Sequence, residues 1–308
     1  MADEAITFDR SELFELELEL PNNRLGDIAR TLIGFEDRYE RVRKDMHILS
    51  NPEEVKNWSK THYATVLPIC EVIADRYPLM IFEGDVGTGK TATAECSSDR
   101  LARQLKKPAM LFKMSTRVRG SGKVGQMSSL INQAFGIVAS EAGKRKCAFL
   151  IVDEADSLTA ARDGQQSHHE DKVAVNTIIQ KVDDVRRFGG RILVFLCTNR
   201  FSTLDSAVLR RAARIETFHR PSGEEREKLI RMDCEGMGLS EKQVLELVSL
   251  TGPDATVGRV GFTYSDLRTR WLPEALGYAF PGRKLTPEDL FMAARAISPS
   301  PVANGGSK

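Results

Sequence analysis

One stretch narrows the possible folds of this chain more than any other: Gly84-Asp85-Val86-Gly87-Thr88-Gly89-Lys90-Thr91. It satisfies the pattern G-x-x-x-x-G-K-[ST] in full. It follows the apolar run Leu79–Phe82 and opens a helical stretch, Thr91–Gln104, the context the pattern requires. The glycines let the backbone curl so that several N–H groups point inward, and the helix that follows adds partial positive charge. Together they make a cradle for phosphate. Lys90 supplies a counter-charge for β- and γ-phosphates, and the Thr91 hydroxyl suits Mg²⁺. ATP with Mg²⁺ is therefore the expected ligand, contacted by Gly84, Asp85, Val86, Gly87, Thr88, Gly89, Lys90, Thr91 and, in the first helical turn, Ala92.

Four more short runs are apolar on successive positions, as in strands buried on both faces: Ala109–Phe112, Cys147–Val152, Ile192–Cys197 and Ile215–Phe218. Helical patterns separate them. The clearest places Val124, Met127, Leu130, Ile131, Ala134, Phe135 and Val138 on one face. The alternation predicts an α/β fold, a three-layer αβα sandwich around a parallel sheet. The run ending at Val152 leads into Asp153-Glu154. Beside a phosphate loop, Asp153 is placed to hold Mg²⁺ with Thr91, and Glu154 to orient the attacking water. The run ending at Cys197 leads to Thr198-Asn199, where Asn199 can reach the γ-phosphate or that water. Leu204–Arg214 carries Arg210, Arg211 and Arg214; if subunits form a ring, Arg211 first and Arg214 second could reach a neighbour's γ-phosphate.

After Pro221 the pattern turns wholly helical. Ser222-x-x-Glu225 and Ser240-x-x-Gln243 are capping boxes, Thr286-Pro287 is a third helix start, and a further helix is read from about Asp266 to Ala279. The expected organisation is a short acidic segment over 1–27, a large ATPase domain over 28–221, a small all-α lid over 222–297 and a disordered tail over 298–308. Residues 1–20 hold seven Asp or Glu against one Arg, and the alternation in Glu12–Leu20 reads either as a one-faced strand or as a frayed terminus. Lys plus Arg is 44 and Asp plus Glu 43, a balance that disfavours a surface built wholly for nucleic acid. No run is long and apolar enough for a membrane span, and no secretory signal is present, so a cytoplasmic protein is expected. The five scattered cysteines fit reduced thiols, and His168 and His169 lack partners with metal-ligand spacing.

Phosphate loop, acidic strand end, polar strand end, arginine cluster and helical lid, in this order, resemble the AAA+ ATPases. Within them, Asp153-Glu154-Ala155-Asp156-Ser157-Leu158-Thr159-Ala160-Ala161-Arg162 looks very like the corresponding stretch of the pachytene-checkpoint ATPases, which remodel HORMA-domain proteins. Ser121-Gly122-Lys123 resembles the tripeptide after their pore-loop aromatic. The resemblance implies a hexamer that grips polypeptide in a central pore. It implies a first pore loop at Arg117-Val118-Arg119, with Val118 as the apolar grip and Arg117 where the family has an aromatic, and a second over Asp163–Asp171. It puts Ile33-Gly34 against the adenine and suggests Arg268 or Arg270 as a lid arginine, since Ser265 falls where an arginine is wanted. About 30 residues precede the core, where eukaryotic members carry a long adaptor domain, which suggests a bacterial member. Bacterial relatives accompany HORMA proteins and nucleotidyltransferases in anti-phage signalling, so that partner set is implied. The competing reading is an AAA+ ATPase acting on nucleic acid, encouraged by Arg117, Arg119 and Lys123 in one loop. A nucleotide-gated scaffold is disfavoured by Glu154, for which a pure binder has no use.

Overall fold

The structure, a computed structural model, describes residues 7–115, 126–143, 146–155 and 167–303. The chain divides into two compact units, the larger comprising Met1–Arg30, Phe35–Glu83 and Thr91–Thr217, the smaller Thr31–Gly34, Gly84–Lys90 and Phe218–Lys308.

The larger unit is built on a sheet of β1 (Phe14–Leu20), β2 (Leu79–Gly84), β3 (Ala109–Met114), β4 (Cys147–Val152), β5 (Ile192–Thr198) and β6 (Arg214–Phe218), in the order β1-β3-β4-β5-β2-β6. The pairs β3–β4, β4–β5 and β2–β5 are parallel. Every residue of β4 and β5 is buried, which is why these strands read as unbroken apolar runs. Helices α1 (Asn23–Thr31), α2 (Phe35–Ser50), α3 (Pro52–Tyr63), α4 (Pro68–Ala74), α5 (Lys90–Leu105), α6 (Gln126–Ala142) and α7 (Ser167–Val185) accompany the sheet. On one face, Leu130, Ile131, Ala134, Phe135 and Val138 of α6 and Ile178 and Val182 of α7 close over Leu150, Val152, Val194 and Leu196. Strand alternation turns Leu193, Phe195 and Cys197 to the other face. There α2 packs on β5, burying Phe35, Tyr39, Val42 and Met46 at helical spacing.

The three-layer α/β expectation holds, with one correction: the sheet is not wholly parallel. β1 runs antiparallel to β3, from Leu20↔Ala109 to Phe14↔Met114. Its alternating Glu and Leu suit an antiparallel edge strand with one covered face. The frayed-terminus alternative is thereby excluded. The sequence pattern did not reveal α3 and α4, whose apolar stripe is blurred by exposed Trp58, Tyr63, Ile69 and Val72.

The smaller unit holds α8 (Gly223–Asp233), α9 (Glu241–Leu250), α10 (Leu272–Ala279) and α11 (Pro287–Ala296), around Leu229, Ile230, Leu247, Phe262, Trp271 and Leu290. Ser222 with Glu225, Ser240 with Gln243 and Thr286 with Asp289 form reciprocal capping boxes. The helix read as continuous from Asp266 begins instead with a π turn, Asp266–Trp271. The buried Asp266 carboxylate accepts the Thr263 N–H and both the N–H and hydroxyl of Ser300. Those bonds hold the chain over 298–303, read from composition as disordered, against the unit. All five cysteines are free and buried, and among the described residues no helix is long and apolar enough to cross a membrane.

Trp271 is fully buried and its indole N–H donates to the Leu290 carbonyl at 2.9 Å. Trp271→Ala is expected to cost about 3–5 kcal/mol, and Trp271→Phe less, chiefly the lost ring volume and the lost indole hydrogen bond. Chemical denaturation followed by circular dichroism measures both; equal stability of Trp271→Ala and the parent chain would show that this core does not depend on the indole.

Candidate nucleotide site

Strand register decides which side chains meet. Glu83, at the end of β2, pairs with Thr198, and Val152 pairs with Leu196. The carboxyl ends of β2, β4 and β5 thus lie at one level, the edge where open α/β sheets hold ligands. Asp153, Glu154 and Asn199 all leave the sheet there.

In the larger unit Asp153 is the hub. Its Oδ2 accepts the Thr91 hydroxyl at 2.7 Å, and its Oδ1 accepts the Glu154 backbone N–H at 2.9 Å. Thr91 and Asp153, predicted to share a metal, are therefore in contact, and two hard oxygens side by side suit Mg²⁺. Glu154 has a φ of 47°, in the left-handed region. For a residue with a Cβ that costs about 1–2 kcal/mol, and such strain concentrates at functional positions.

Sequence reasoning missed three charges around this hub. Lys113 of β3 places its ammonium 3.6 Å from Asp153 Oδ2 and 3.3 Å from Glu15 Oε2 of β1. Burial pulls the Lys113 pKa down, but Asp153 and Glu15 more than offset it, so the group is held above its ordinary value. Burial pushes the Glu95 carboxyl up, opposed by Lys113 and reinforced by Asp153. None of the three had a signal in the sequence: the apolar run Ala109–Phe112 stops short of Lys113, and Glu15 and Glu95 lie in ordinary polar patterns.

In the smaller unit the phosphate loop is folded on its own lysine. The Lys90 ammonium donates to the Gly84 and Asp85 carbonyls at 2.9 and 2.7 Å, and the Thr88 hydroxyl also donates to Asp85 O. Turning the carbonyls to these donors leaves the opposite side of the loop to its N–H groups. Gly84 (φ 141°), Gly87 (φ 75°) and Gly89 (φ 90°) take conformations that L side chains rarely adopt. A Cβ on Gly84 would collide with the Phe218 carbonyl; one on Gly87 would lie 2.7 Å from Thr263 Oγ1 and Ser265 Cβ. Val86 is half exposed at the loop's tip, and Ile33 packs against the helical core beside the positive-φ Gly34.

Three arginines differ from expectation. The Arg268 fork is bound by Asp233 at 2.6 and 2.9 Å and by the Thr31 carbonyl at 2.7 Å, so it ties the Ile33-Gly34 segment to the helices. Arg211 is bound by Asp183 at 2.7 and 2.9 Å, and the carboxylate is held below its usual range by that bond. Arg214 belongs to β6 and reaches Asp45 and Glu216 at 3.4 Å. Arg210 is exposed. Arg117, Val118, Arg119 and Lys123 lie outside the described residues, as do Asp156 to Arg162 and the side chains of His168 and His169.

The family model "ATPase family associated with various cellular activities (AAA)" matches residues 80–220. CD-NTase-associated protein 6 of Escherichia coli (strain KTE188) is 50% identical over 95% of this chain and 98% of its own length. The chain belongs to the AAA ATPases. A chain of the E. coli MS115-1 HORMA:CdnC:Trip13 complex superimposes with a TM-score of 0.86 at 34% identity, covering 96% of this chain and 99% of that one. Caenorhabditis elegans PCH-2 shares the fold, with a TM-score of 0.64 at 17% identity over 91% of this chain and 72% of its own. The resemblance to the pachytene-checkpoint group is borne out, and the protein is an ATPase of the Trip13/PCH-2 kind.

The AAA phosphate loop gives a graded test. Gly87→Ala adds a collision to an unfavourable φ, whereas Gly89→Ala meets no atom within 4 Å and bears only the backbone cost, about 1–2 kcal/mol. Without nucleotide, Gly87→Ala is expected to melt several degrees below Gly89→Ala in a thermal scan. The reverse order would mean that the loop's approach to Thr263 and Ser265 is not tight.

Proposed function

We propose that this ATPase remodels a HORMA-domain protein bound to a signalling nucleotidyltransferase, and so regulates a bacterial anti-phage system. The observation that carries this reading is the near-complete coverage, at 34% identity, of a chain from the HORMA:CdnC:Trip13 complex. The name of the 50% identical relative, a CD-NTase-associated protein, agrees.

The residues described above divide the work of hydrolysis. Lys90 leaves the Gly84 and Asp85 carbonyls and neutralises the β- and γ-phosphates, while the loop's N–H groups hold their oxygens. Thr91 and Asp153 would hold Mg²⁺, which when bound offsets charge on the phosphate oxygens. Glu154 orients the attacking water and accepts its proton. Asp153, by accepting the Glu154 N–H, fixes the backbone that aims that carboxylate. Asn199 donates to the γ-phosphate or the water. Ile33 and Gly34 line the adenine, and Val118 with Arg117 and Arg119 grips the polypeptide.

Six copies in a ring would complete each site with a neighbour's arginine. Because Arg211 and Arg214 are paired within their own subunit, the exposed Arg210 becomes the first choice. Arg210→Ala is expected to lower kcat about 10³-fold. Mixed with inactive Lys90→Ala subunits it should regain partial activity at mixed interfaces. Full turnover by Arg210→Ala alone would return the role to Arg211 or Arg214.

Glu154→Gln should bind ATP normally and hydrolyse it about 10²-fold or more slowly, because the amide keeps the shape and loses the charge. That trapped protein, with ATP, is expected to retain a HORMA-domain partner from the same operon in pull-downs at low and physiological salt alike. Single-stranded and duplex DNA should neither bind tightly nor raise wild-type turnover. Strongly salt-dependent DNA binding that stimulates turnover, with no response to the HORMA protein, would overturn this reading in favour of a nucleic-acid ATPase.

A further inference from the structure

Asp85, the second residue of the phosphate loop, is engaged at both of its polar ends. Its carbonyl takes the Lys90 and Thr88 donors. Its carboxylate takes two others: Arg220 Nε at 2.8 Å on Oδ2 and the Ala303 N–H at 2.9 Å on Oδ1. The Asp85 and Arg220 side chains are 17% and 13% exposed, so this ion pair is largely withdrawn from water. The remaining nitrogens of Arg220 donate to the Gly261 carbonyl at 2.7 Å and the Ser300 carbonyl at 2.8 Å. One guanidinium therefore touches the phosphate loop, the lid and the segment that follows α11.

The connections form a closed circuit. Ser300 is fixed through its hydroxyl and N–H to Asp266, which is 1% exposed. Asp266 accepts the Thr263 N–H, its own N–H donates to Thr263 Oγ1, and the Ser265 N–H donates to the Gly87 carbonyl at 3.1 Å. The circuit starts on the phosphate loop at Asp85 and returns to it at Gly87. Arg220 and Ala303 reach the phosphate loop directly at the Asp85 carboxylate, and Ser300 reaches it also by way of Asp266 and Ser265.

Lys90 sets the need for such an anchor. Without phosphate its ammonium holds the Gly84 and Asp85 carbonyls, and to meet a phosphate it must let go of them. A loop held only by Lys90 loses its shape when the lysine turns. A loop pinned independently at the Asp85 carboxylate keeps it, and the ordering cost of binding is already met.

We propose that Arg220 and the segment from Ser300 to Ala303 are positioning residues for nucleotide: they pin Asp85 and keep the phosphate cradle formed while Lys90 moves to the phosphates. The inference rests on the phosphate loop being the ATP site, and it makes ATP affinity depend on a segment that sequence composition marked as disordered.

The test uses the full-length chain, Arg220→Ala, Asp85→Ala, the double variant, a chain ending at Ala303 and one ending at Val302. The last two differ only by the residue whose N–H meets Asp85. Binding is read with a fluorescent ADP analogue, and KM and kcat with ATP; melting of the nucleotide-free proteins reports on folding. The chain ending at Ala303 should bind like the full-length protein, and the chain ending at Val302 about threefold or more weakly. Arg220→Ala should weaken binding about tenfold, with KM rising in step and kcat within about twofold. The double variant should bind no more weakly than Asp85→Ala alone, because both changes break one link. Full-length protein that binds no nucleotide would defeat the ATP-site reading itself. If it binds and the chain ending at Val302 and Arg220→Ala bind equally well, or if the effects of Arg220→Ala and Asp85→Ala add, the anchor is refuted. Should Arg220→Ala fail to fold, the two truncated chains decide.

Discussion

Everything in the larger unit that bears on chemistry depends on one constraint: β2, β4 and β5 run parallel and stop at the same level. Parallel pairing with Val152 opposite Leu196 and Glu83 opposite Thr198 leaves no freedom over where Asp153, Glu154 and Asn199 emerge. A shift of one residue in β4 would send Asp153 to the opposite face of the sheet and part it from Thr91. Register is held by burial. Val152, Val194 and Leu196 are enclosed by α6 and α7, so a slipped strand would put its alternate residues into the wrong layer. The hydrophobic core thus supplies the positional accuracy that a pair of hard oxygens needs.

The parts of this protein that were legible in its sequence are those whose signal is local. A phosphate loop is a contiguous backbone device, and its glycines are required by conformation at Gly84, Gly87 and Gly89 themselves. Strands buried on both faces announce themselves as apolar runs, and the capping boxes at Ser222, Ser240 and Thr286 involve residues three apart. Lys113, Arg220 and Glu95 were not legible, because each acquires its meaning from a residue distant in the chain. Lys113 meets Asp153 and Glu15 only after β1 and β4 have flanked β3. Arg220 meets Ser300 only once α11 has returned the chain.

Arginine shows the same limit most sharply. By composition Arg210, Arg211, Arg214 and Arg268 look alike. In the fold, Arg211 and Arg268 are held in bidentate forks by Asp183 and Asp233, Arg214 is shared between two carboxylates, and Arg210 stands exposed. An arginine already committed to a carboxylate within its own chain must break that pair before it can serve another molecule. Which guanidinium is available is therefore a property of the acids around it, and those acids lie 28 and 35 positions away in sequence.

The cysteines have a practical meaning for experiment. All five are buried, and burial pushes the thiols of Cys96 and Cys234 up to about 12 and about 11, with Cys147 raised as well. The thiolate is the reactive form, and at neutral pH Cys96 and Cys234 hold almost none of it, while burial shields all five from reagents. The natural chain is thus close to silent towards maleimides and other thiol reagents while it stays folded. A single cysteine introduced on an exposed helix can carry a fluorophore or spin label with no prior removal of the native five. Each unit can then be labelled separately in a protein that keeps its own core.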